Sequence, residues 1–415
     1  MRLAVFTSQF PSRVSTFFAR DMRGLIEAGI EIEIFPLYPL DAALWSYVPT
    51  LLDEKILPRE RVHHVDLSSS LRPRGASRTR SAGRFATDAV SVGLSSLAGG
   101  PALFAKSAYA LAKAWAWAGD HGGRFDHVLA YWGNYAATSA IAFQRMSDPT
   151  IPVSMFLHAG TDLYRRAASL RSKALYVDNI IVVCRFNQTF LEEHHPDIRE
   201  RIRAKTHVHH IGLDLAGIPM SKEDRSLGHL LAVGSFEKAK GFDVLLHAVG
   251  LLRRRGVDVH VDLIGDGPQR GALAKLASSL GIEDRVHDRG WLSFDEVQSA
   301  MRKASVLVHP SIGLGDAVPT VIKEALALGT PVVASSVAGI PELLDGGGCG
   351  VLVPPRDPER LADALAGLLA DERRRRDFAN AGRAFADETF DMWRNGRKLA
   401  DILRSTRRPA RGEVG

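Results

Sequence analysis

Asp316 and Glu324 are two carboxylates with seven residues between them, in the stretch Asp316-Ala-Val-Pro-Thr-Val-Ile-Lys-Glu324. Pro319 suits a helix start, because its fixed φ is already helical and its missing N–H would have had no partner there. A helix beginning here leaves the amides around Thr320, Val321 and Ile322 unpaired and pointing outward. Such a start attracts phosphate through its free donors and through the helix dipole. A phosphate held near Val318, Pro319 and Thr320 would have both carboxylates within reach, and carboxylates in that place make sense as acceptors for sugar hydroxyls. On spacing alone, a solvated loop acid and an ordinary helical glutamate fit equally well.

A second stretch, Val233-Gly234-Ser235-Phe236-Glu237-Lys238-Ala239-Lys240-Gly241-Phe242, reads as a strand end, a short loop and a helix start. It places the Lys240 ammonium at the strand's carboxyl end, free to meet a diphosphate. A lone lysine is usually surface filler. Gly265-Asp266-Gly267-Pro268 after the next strand adds force, since glycines on both loops permit close backbone approach. Neither stretch is the G-x-G-x-x-G dinucleotide fingerprint at a first strand, nor a P-loop.

The elements that must position these loops follow from hydrophobic patterning. In the second half, strands are expected over 230–234, 259–265, 306–310, 331–335 and 351–353, with helices over 242–255, 268–280, 295–304 and 320–327. The first of these helices places Val244, Leu245, Ala248, Val249 and Leu252 on one face, with arginines in its last turn and Gly256 as a stop. The first half repeats the theme with strands over 3–7, 30–36, 127–131, 153–158, 179–184 and 207–211 and a helix over 17–28, while 49–126 is helical only in patches. This alternation builds parallel sheets with helices on both faces. The expected class is therefore α/β, with two doubly wound domains over 1–212 and 213–389. Their strands would present carboxyl ends to a shared cleft, where ligands of such sheets bind.

Composition narrows the function classes. The 415 residues are 46% hydrophobic and 24% charged, which is globular and long enough for two full cores. Two cysteines far apart, Cys184 and Cys349, exclude a disulfide framework and a cysteine-rich zinc site and suit a reducing compartment. The opening apolar run is too short for a signal peptide, and no stretch reaches the ~18 apolar residues of a membrane span. A cytoplasmic protein is expected. Its net charge of +6 favours anionic partners. Arg72, Arg74, Arg78, Arg80 and Arg84 crowd an acid-free stretch, which reads either as a solvated loop or as a peripheral contact with the anionic inner face of a membrane. His207 and His209 would share one strand face with His210 on the other and no thiol near, so no metal is expected there. The pairs His63-His64 and His194-His195 read as surface residues. No G-x-S-x-G elbow supports serine hydrolysis.

Taken together, these residues resemble the retaining glycosyltransferases of family 4, which have the GT-B fold. The resemblance spans about 230–355 and rests on four features in order: Lys240-Gly241, Leu263-Ile264-Gly265-Asp266-Gly267-Pro268, the acidic pair Asp316 and Glu324, and Gly339-Ile340-Pro341-Glu342. A fainter likeness links Phe10-Pro11-Ser12-Arg13-Val14-Ser15-Thr16-Phe17-Phe18, the stretch from Phe156 through His158 and Asp162 to Tyr164, and the turn Gly212-Leu213-Asp214 to an exopolysaccharide and lipopolysaccharide subgroup.

The resemblance implies a role for each position. Glu324 would hold the nucleotide ribose, and Lys240 with the backbone near Val318, Pro319 and Thr320 would neutralise the diphosphate. Gly234, Ser235, Gly265 and Gly267 would line the donor, and backbone at Trp291 and Leu292 would meet the base. Asp316 would touch the donor sugar, and His158 would reach it from the N-terminal domain. Arg13, Ser15, Thr16 and Asp162 fall on the acceptor side. A last helix over about 390–405 would pack back on the N-terminal domain. The activity implied is transfer of a sugar from a nucleotide-diphosphate sugar, as donor substrate, to a saccharide or lipid-linked saccharide, with no cofactor, no metal and no nucleic acid.

Three departures stand out. Ser235 replaces an arginine that normally shares the diphosphate charge, so Lys240 and the helix start must carry more of it, or Arg13 must substitute. Asp316 is one methylene shorter than the usual glutamate. Val14-Ser15 replaces Ser-Glu in the opening motif. Two alternatives stay open: another GT-B enzyme such as a phosphorylase or epimerase, and a sugar-nucleotide-binding protein without catalysis.

Overall fold

Leu3, Ala4, Val5 and Phe6 are all fully buried, as in a strand covered on both faces. The same pattern recurs along the chain. The computed structural model describes residues 1–12, 16–47, 56–65, 83, 100–160, 162–164, 169–221 and 225–408. Arg13, Ser15 and the cluster Arg72, Arg74, Arg78, Arg80 and Arg84 lie outside the described residues. The chain divides into two units, Met1–Gly212 with Met392–Gly415, and Leu213–Asp391.

The first unit runs β1 (Arg2–Thr7), α1 (Thr16–Glu27), β2 (Glu31–Pro36), α2 (Pro101–His121), β3 (His127–Ala130), α3 (Tyr135–Ser147), β4 (Val153–Leu157), α4 (Leu170–Tyr176), β5 (Asn179–Val182), α5 (Arg185–His194), α6 (Arg199–Arg203) and β6 (Thr206–Val208). The second runs β7 (Ser226–Val233), α7 (Phe242–Arg254), β8 (His260–Ile264), α8 (Arg270–Ser279), β9 (Val286–Gly290), α9 (Phe294–Lys303), β10 (Ala304–His309), α10 (Thr320–Ala327), β11 (Val332–Ser335), α11 (Ile340–Leu343), β12 (Val351–Val353), α12 (Pro358–Ala370) and α13 (Glu372–Thr389). The last helix, α14 (Met392–Ser405), returns to the first unit.

Each unit holds a six-stranded sheet, ordered β2-β1-β3-β4-β5-β6 and β12-β11-β10-β7-β8-β9. All the pairings are parallel. In such sheets ligands bind beyond the strand carboxyl ends where the order reverses. In the second unit that switch lies between β7 and β10, which are hydrogen-bonded neighbours. Successive side chains of β7 feed opposite cores: Leu230 and Ala232 pack with Leu245 and Val249 of α7, whereas Leu231 packs with Ile322 and Ala325 of α10. The loops after β7 and β10 are therefore held side by side by a sheet packed on both faces.

Two strands stand out against expectation. β9 was not expected, because its His287, Asp288 and Arg289 are exposed on an edge strand and leave no apolar run to read. The strand expected over 207–211 closes at Val208, and His209 turns into the core. Within the first unit α14 lies against α1 at a glycine pair, where a Cβ on Gly396 would stand 2.5 Å from the Cα of Gly24. Among the described residues no helix is long and apolar enough to cross a membrane.

Candidate active site

In the second unit, the loop after β7 turns through the short helical turn Lys238–Lys240 before Gly241 opens α7. Gly241 has a left-handed φ of 68°, and a Cβ there would lie 2.0 Å from the carbonyl oxygen of Pro310. The loop after β10 docks on the same segment, with Ile312 N and Ser311 Oγ both donating to Ala239 O, at 2.8 Å and 3.0 Å. This docking brings Lys240 Nζ to 2.7 Å from Asp316 Oδ1. The other carboxylate oxygen lies 2.6 Å from Nε2 of His309, the last residue of β10. Burial alone would raise the Asp316 carboxyl, but His309 and Lys240 outweigh it and hold it well below the usual carboxylate range. Asp316 is thus a fixed negative charge, and Lys240 is partly exposed beside it.

The ammonium expected to be free is paired, because the docking of two loops distant in sequence sets that contact. A second departure concerns α10. Ile322 N donates to Pro319 O at 3.2 Å, so this amide is satisfied within the first turn. Thr320 and Val321 remain the amides that precede any intrahelical acceptor. Pro319 occupies the cap position with extended backbone, one residue before the helix begins, and no side chain caps the start. Val318 packs at the edge of the core beneath it, and Glu324 is buried in the following turn.

The glycine loops interlock. Gly234 N donates to Ile264 O, and Gly265 N to Gly290 O. A Cβ on Gly265, whose φ is 143°, would stand 1.9 Å from Gly234 O, and one on Gly267 would stand 2.8 Å from Phe236 N. Ser235 follows Gly234, on a loop closed by Phe236 N donating to Asp266 O at 2.8 Å. Trp291 follows β9 and is 79% exposed, while Leu292 is partly buried against the core. Gly234, Ser235, Lys240, Gly265, Gly267, Leu292, Asp316, Val318 and Pro319 therefore all fall on loops leaving the carboxyl ends of β7, β8, β9 and β10, and Thr320 opens the helix after the last of them.

The first unit gathers a second cluster at the carboxyl edge of its own sheet. His158 follows β4 and is buried, its ring stacked on Phe156 at 4.6 Å and lying 4.4 Å from Trp132. Its Nε2 lies 2.9 Å from Tyr131 O. A carbonyl only accepts, so Nε2 carries the proton and Nδ1 the lone pair. Burial pushes its pKa down to about 4, against the opposing pull of Asp21 and the Tyr131 carbonyl. Asp162 is fully buried, and among the described residues neither carboxylate oxygen has a hydrogen-bond partner. Burial pushes it up to about 7, while nearby backbone amides and Lys173 pull the other way. Lys173 donates to Asn134 O at 2.7 Å and Gly133 O at 3.1 Å, and its own burial pushes it down to about 7. Thr16 opens α1 as an exposed residue.

Sequence reasoning missed His309, Lys173 and a buried triplet. In that triplet Asp21 accepts from Tyr131 Oη at 2.6 Å and pairs with His209 Nε2 at 3.0 Å. These partners stand 110 and 188 residues from Asp21 along the chain, beyond any local signal. The pair His63-His64, read as surface, is partly buried, and His63 bonds to Glu33.

Residues 228–371 match the family model described as "Glycosyl transferases group 1". An alpha-D-kanosaminyltransferase of Streptomyces kanamyceticus is 28% identical over 274 residues, covering 63% of this chain and 65% of that protein. A GDP-mannose-dependent alpha-(1-6)-phosphatidylinositol monomannoside mannosyltransferase of Mycolicibacterium smegmatis is 34% identical over 177 residues, covering 41% of this chain and 46% of that one. The chain thus spans less than two thirds of the length of these curated relatives. The crystal structure of Anabaena HepE in complex with UDP is similar with a TM-score of 0.70 at 17% identity, covering 97% of this chain and 99% of that one. The two parallel sheets with flanking helices and this likeness identify the GT-B fold, and the match to the group 1 model falls within the second unit.

Proposed function

We propose that the protein is a retaining glycosyltransferase that moves a sugar from a nucleotide-diphosphate sugar to a hydroxyl of a saccharide or lipid-linked saccharide. The setting proposed is cell-surface polysaccharide or glycolipid synthesis, in the cytoplasm or peripherally at the inner face of the membrane. One observation carries the reading: Lys240 pairs with Asp316 at 2.7 Å, at the switch between β7 and β10 and inside the segment matching the group 1 model. A relative named for a phosphatidylinositol monomannoside supports a lipid-linked acceptor, and its GDP-mannose dependence supports the donor class.

In this reading the anomeric carbon loses its bond to the diphosphate oxygen and gains one to the acceptor oxygen on the same sugar face. The acceptor's proton passes to the departing phosphate oxygen. Lys240 stabilises that oxygen's charge, with the first amides of α10 as fixed donors. An ammonium has three N–H donors, so Lys240 can hold Asp316 and a phosphate together. Asp316, kept ionised by His309 and Lys240, accepts from sugar hydroxyls. Glu324 serves the ribose, and His158, a neutral imidazole, serves the donor sugar. The fixed cation and dipoles make a catalytic metal dispensable. Ser235, in place of a cation, favours one other reading, nucleotide-sugar binding without transfer.

The test is calorimetry with UDP, GDP and their sugars, followed by nucleotide release on adding saccharide acceptors. Saturable binding of one nucleotide that is lost in Lys240→Ala is expected. Binding with no release across an acceptor panel would favour the non-catalytic reading, and no binding at all would end both.

A further inference from the structure

Glu33 lies in β2, His63 follows the turn Arg59–Arg61, and His121 ends α2. The bridge between Ile34 and Val62 brings the first two together. One ligand atom from each of the three residues lies within 4.8 Å of the others. His63 Nε2 stands 2.8 Å from Glu33 Oε2, and the two imidazole rings are 4.1 Å apart.

The occupant of this triangle is informative. The Arg124 guanidinium places a nitrogen 2.8 Å from Glu33 Oε2 and 2.8 Å from His121 Nδ1. Arginine N–H groups only donate, so His121 Nδ1 presents a lone pair to a positive charge. The position between a carboxylate oxygen and an imidazole nitrogen is already a cation's place. We propose that Glu33, His63 and His121 bind a divalent transition metal of the zinc class, which takes the position that the Arg124 guanidinium holds in its absence.

The donor set fits that chemistry. Two imidazoles and one carboxylate suit zinc, with water as a fourth ligand. Ligand atoms around one tetrahedral zinc stand roughly 3.3 Å apart, so the triangle needs only a small closure. The surroundings already orient the ligands, as outer partners do in metal sites. Arg2 holds Glu33 Oε1 at 3.0 Å, and Trp117 Nε1 donates to the His63 carbonyl at 3.1 Å. The Arg124 side chain is 40% exposed and can leave for solvent. On binding, the His63 proton moves from Nε2 to Nδ1, so the imidazole stays neutral. The metal would staple β2 to the segment after Arg61 and to the end of α2, independently of any sugar transfer.

Cobalt(II) titration of the full-length protein tests this, because tetrahedral cobalt absorbs visibly and zinc should displace it. Wild type should show a saturable spectrum. Affinity should fall at least ~10-fold in Glu33→Gln and His121→Ala, and should rise ~10-fold in Arg124→Ala, which removes the competing cation. Zinc should also raise the thermal midpoint of Arg124→Ala more than that of wild type. Neither a cobalt spectrum nor zinc stabilisation in wild type and Arg124→Ala would overturn the site. So would an affinity unchanged in both Glu33→Gln and His121→Ala, since the metal would then sit on other histidines. If His121→Ala fails to fold, Glu33→Gln and Arg124→Ala decide.

Discussion

Each unit carries a lysine, an aspartate and a histidine near the carboxyl edge of its sheet, yet their electrostatics are opposite. In the C-terminal unit, Asp316 touches both Lys240 and His309 and is held well below the usual carboxylate range. In the N-terminal unit, Lys173 spends its donors on the carbonyls of Gly133 and Asn134. Asp162 is left without a hydrogen-bond partner among the described residues and is pushed up. His158 stacks among aromatic rings and is pushed down to about 4. Composition is shared, but contact decides the charge state. A buried carboxylate stays ionised when cations touch it and drifts toward neutrality when they do not.

The largest effect that would break this contrast is expected from Lys240→Ala. Sugar transfer should fall ~10²–10³-fold, the scale of losing a preorganised electrostatic group, while far-UV dichroism stays unchanged. Near-normal turnover would place the chemistry elsewhere.

Gly265→Ala should follow, because its Cβ would strike Gly234 O at 1.9 Å and its φ of 143° strains any side chain. A loss of about 3 kcal/mol in urea-unfolding stability is expected, together with weaker nucleotide binding. Wild-type stability would show that the interlock of the loops is slack.

Acid should separate the two units. His158 and His127 are buried and held at about 4 and about 3. The unfolded chain takes up their protons from about pH 6.5 downward, and the folded chain does so only past the lowered values. Their stabilising contribution is therefore full above pH 6.5 and is lost toward pH 4 and 3, by at most about 1.4 kcal/mol per pH unit for each histidine. Asp162 acts in reverse, its contribution full below about pH 4 and lost as pH rises toward 7. Asp316 contributes above about pH 4 and loses that contribution only below it. Of six tryptophans, all but Trp291 lie in the N-terminal unit. Tryptophan fluorescence should therefore show an acid transition at higher pH than backbone dichroism, and coincident transitions would remove the contrast.

The smallest effect is expected from Glu324→Gln, which keeps the shape and removes the charge. The nucleotide dissociation constant should rise ~10-fold with little change in the maximal rate, as for one charge-assisted hydrogen bond. An unchanged constant would refute the ribose assignment.

Much of the fold was legible in the sequence. Strands buried on both faces announce themselves as apolar runs, and α10 begins and ends where its proline and apolar spacing place it. β9 was not legible, because an edge strand with His287, Asp288 and Arg289 exposed has no hydrophobic reason to show itself. At the candidate site, the loops carrying Gly234, Lys240, Gly265, Gly267 and Asp316 could be found from local turn chemistry. Their pairings could not. His309 ends a strand without any motif, and Lys240 meets Asp316 only because Ile312 and Ser311 dock on Ala239.

By itself, the amino-acid order determined where strands and helices alternate and which loops leave strand carboxyl ends, since periodicity, proline and glycine act over a few residues. The tertiary structure alone decided which charges meet. Among the described residues it left the Asp162 oxygens without a hydrogen-bond partner, gave Asp316 contacts to both Lys240 and His309, and brought Asp21 to Tyr131 and His209. The reason is physical: solvation and Coulomb energy depend on distance and burial in the packed protein, and neither is encoded by spacing along the chain.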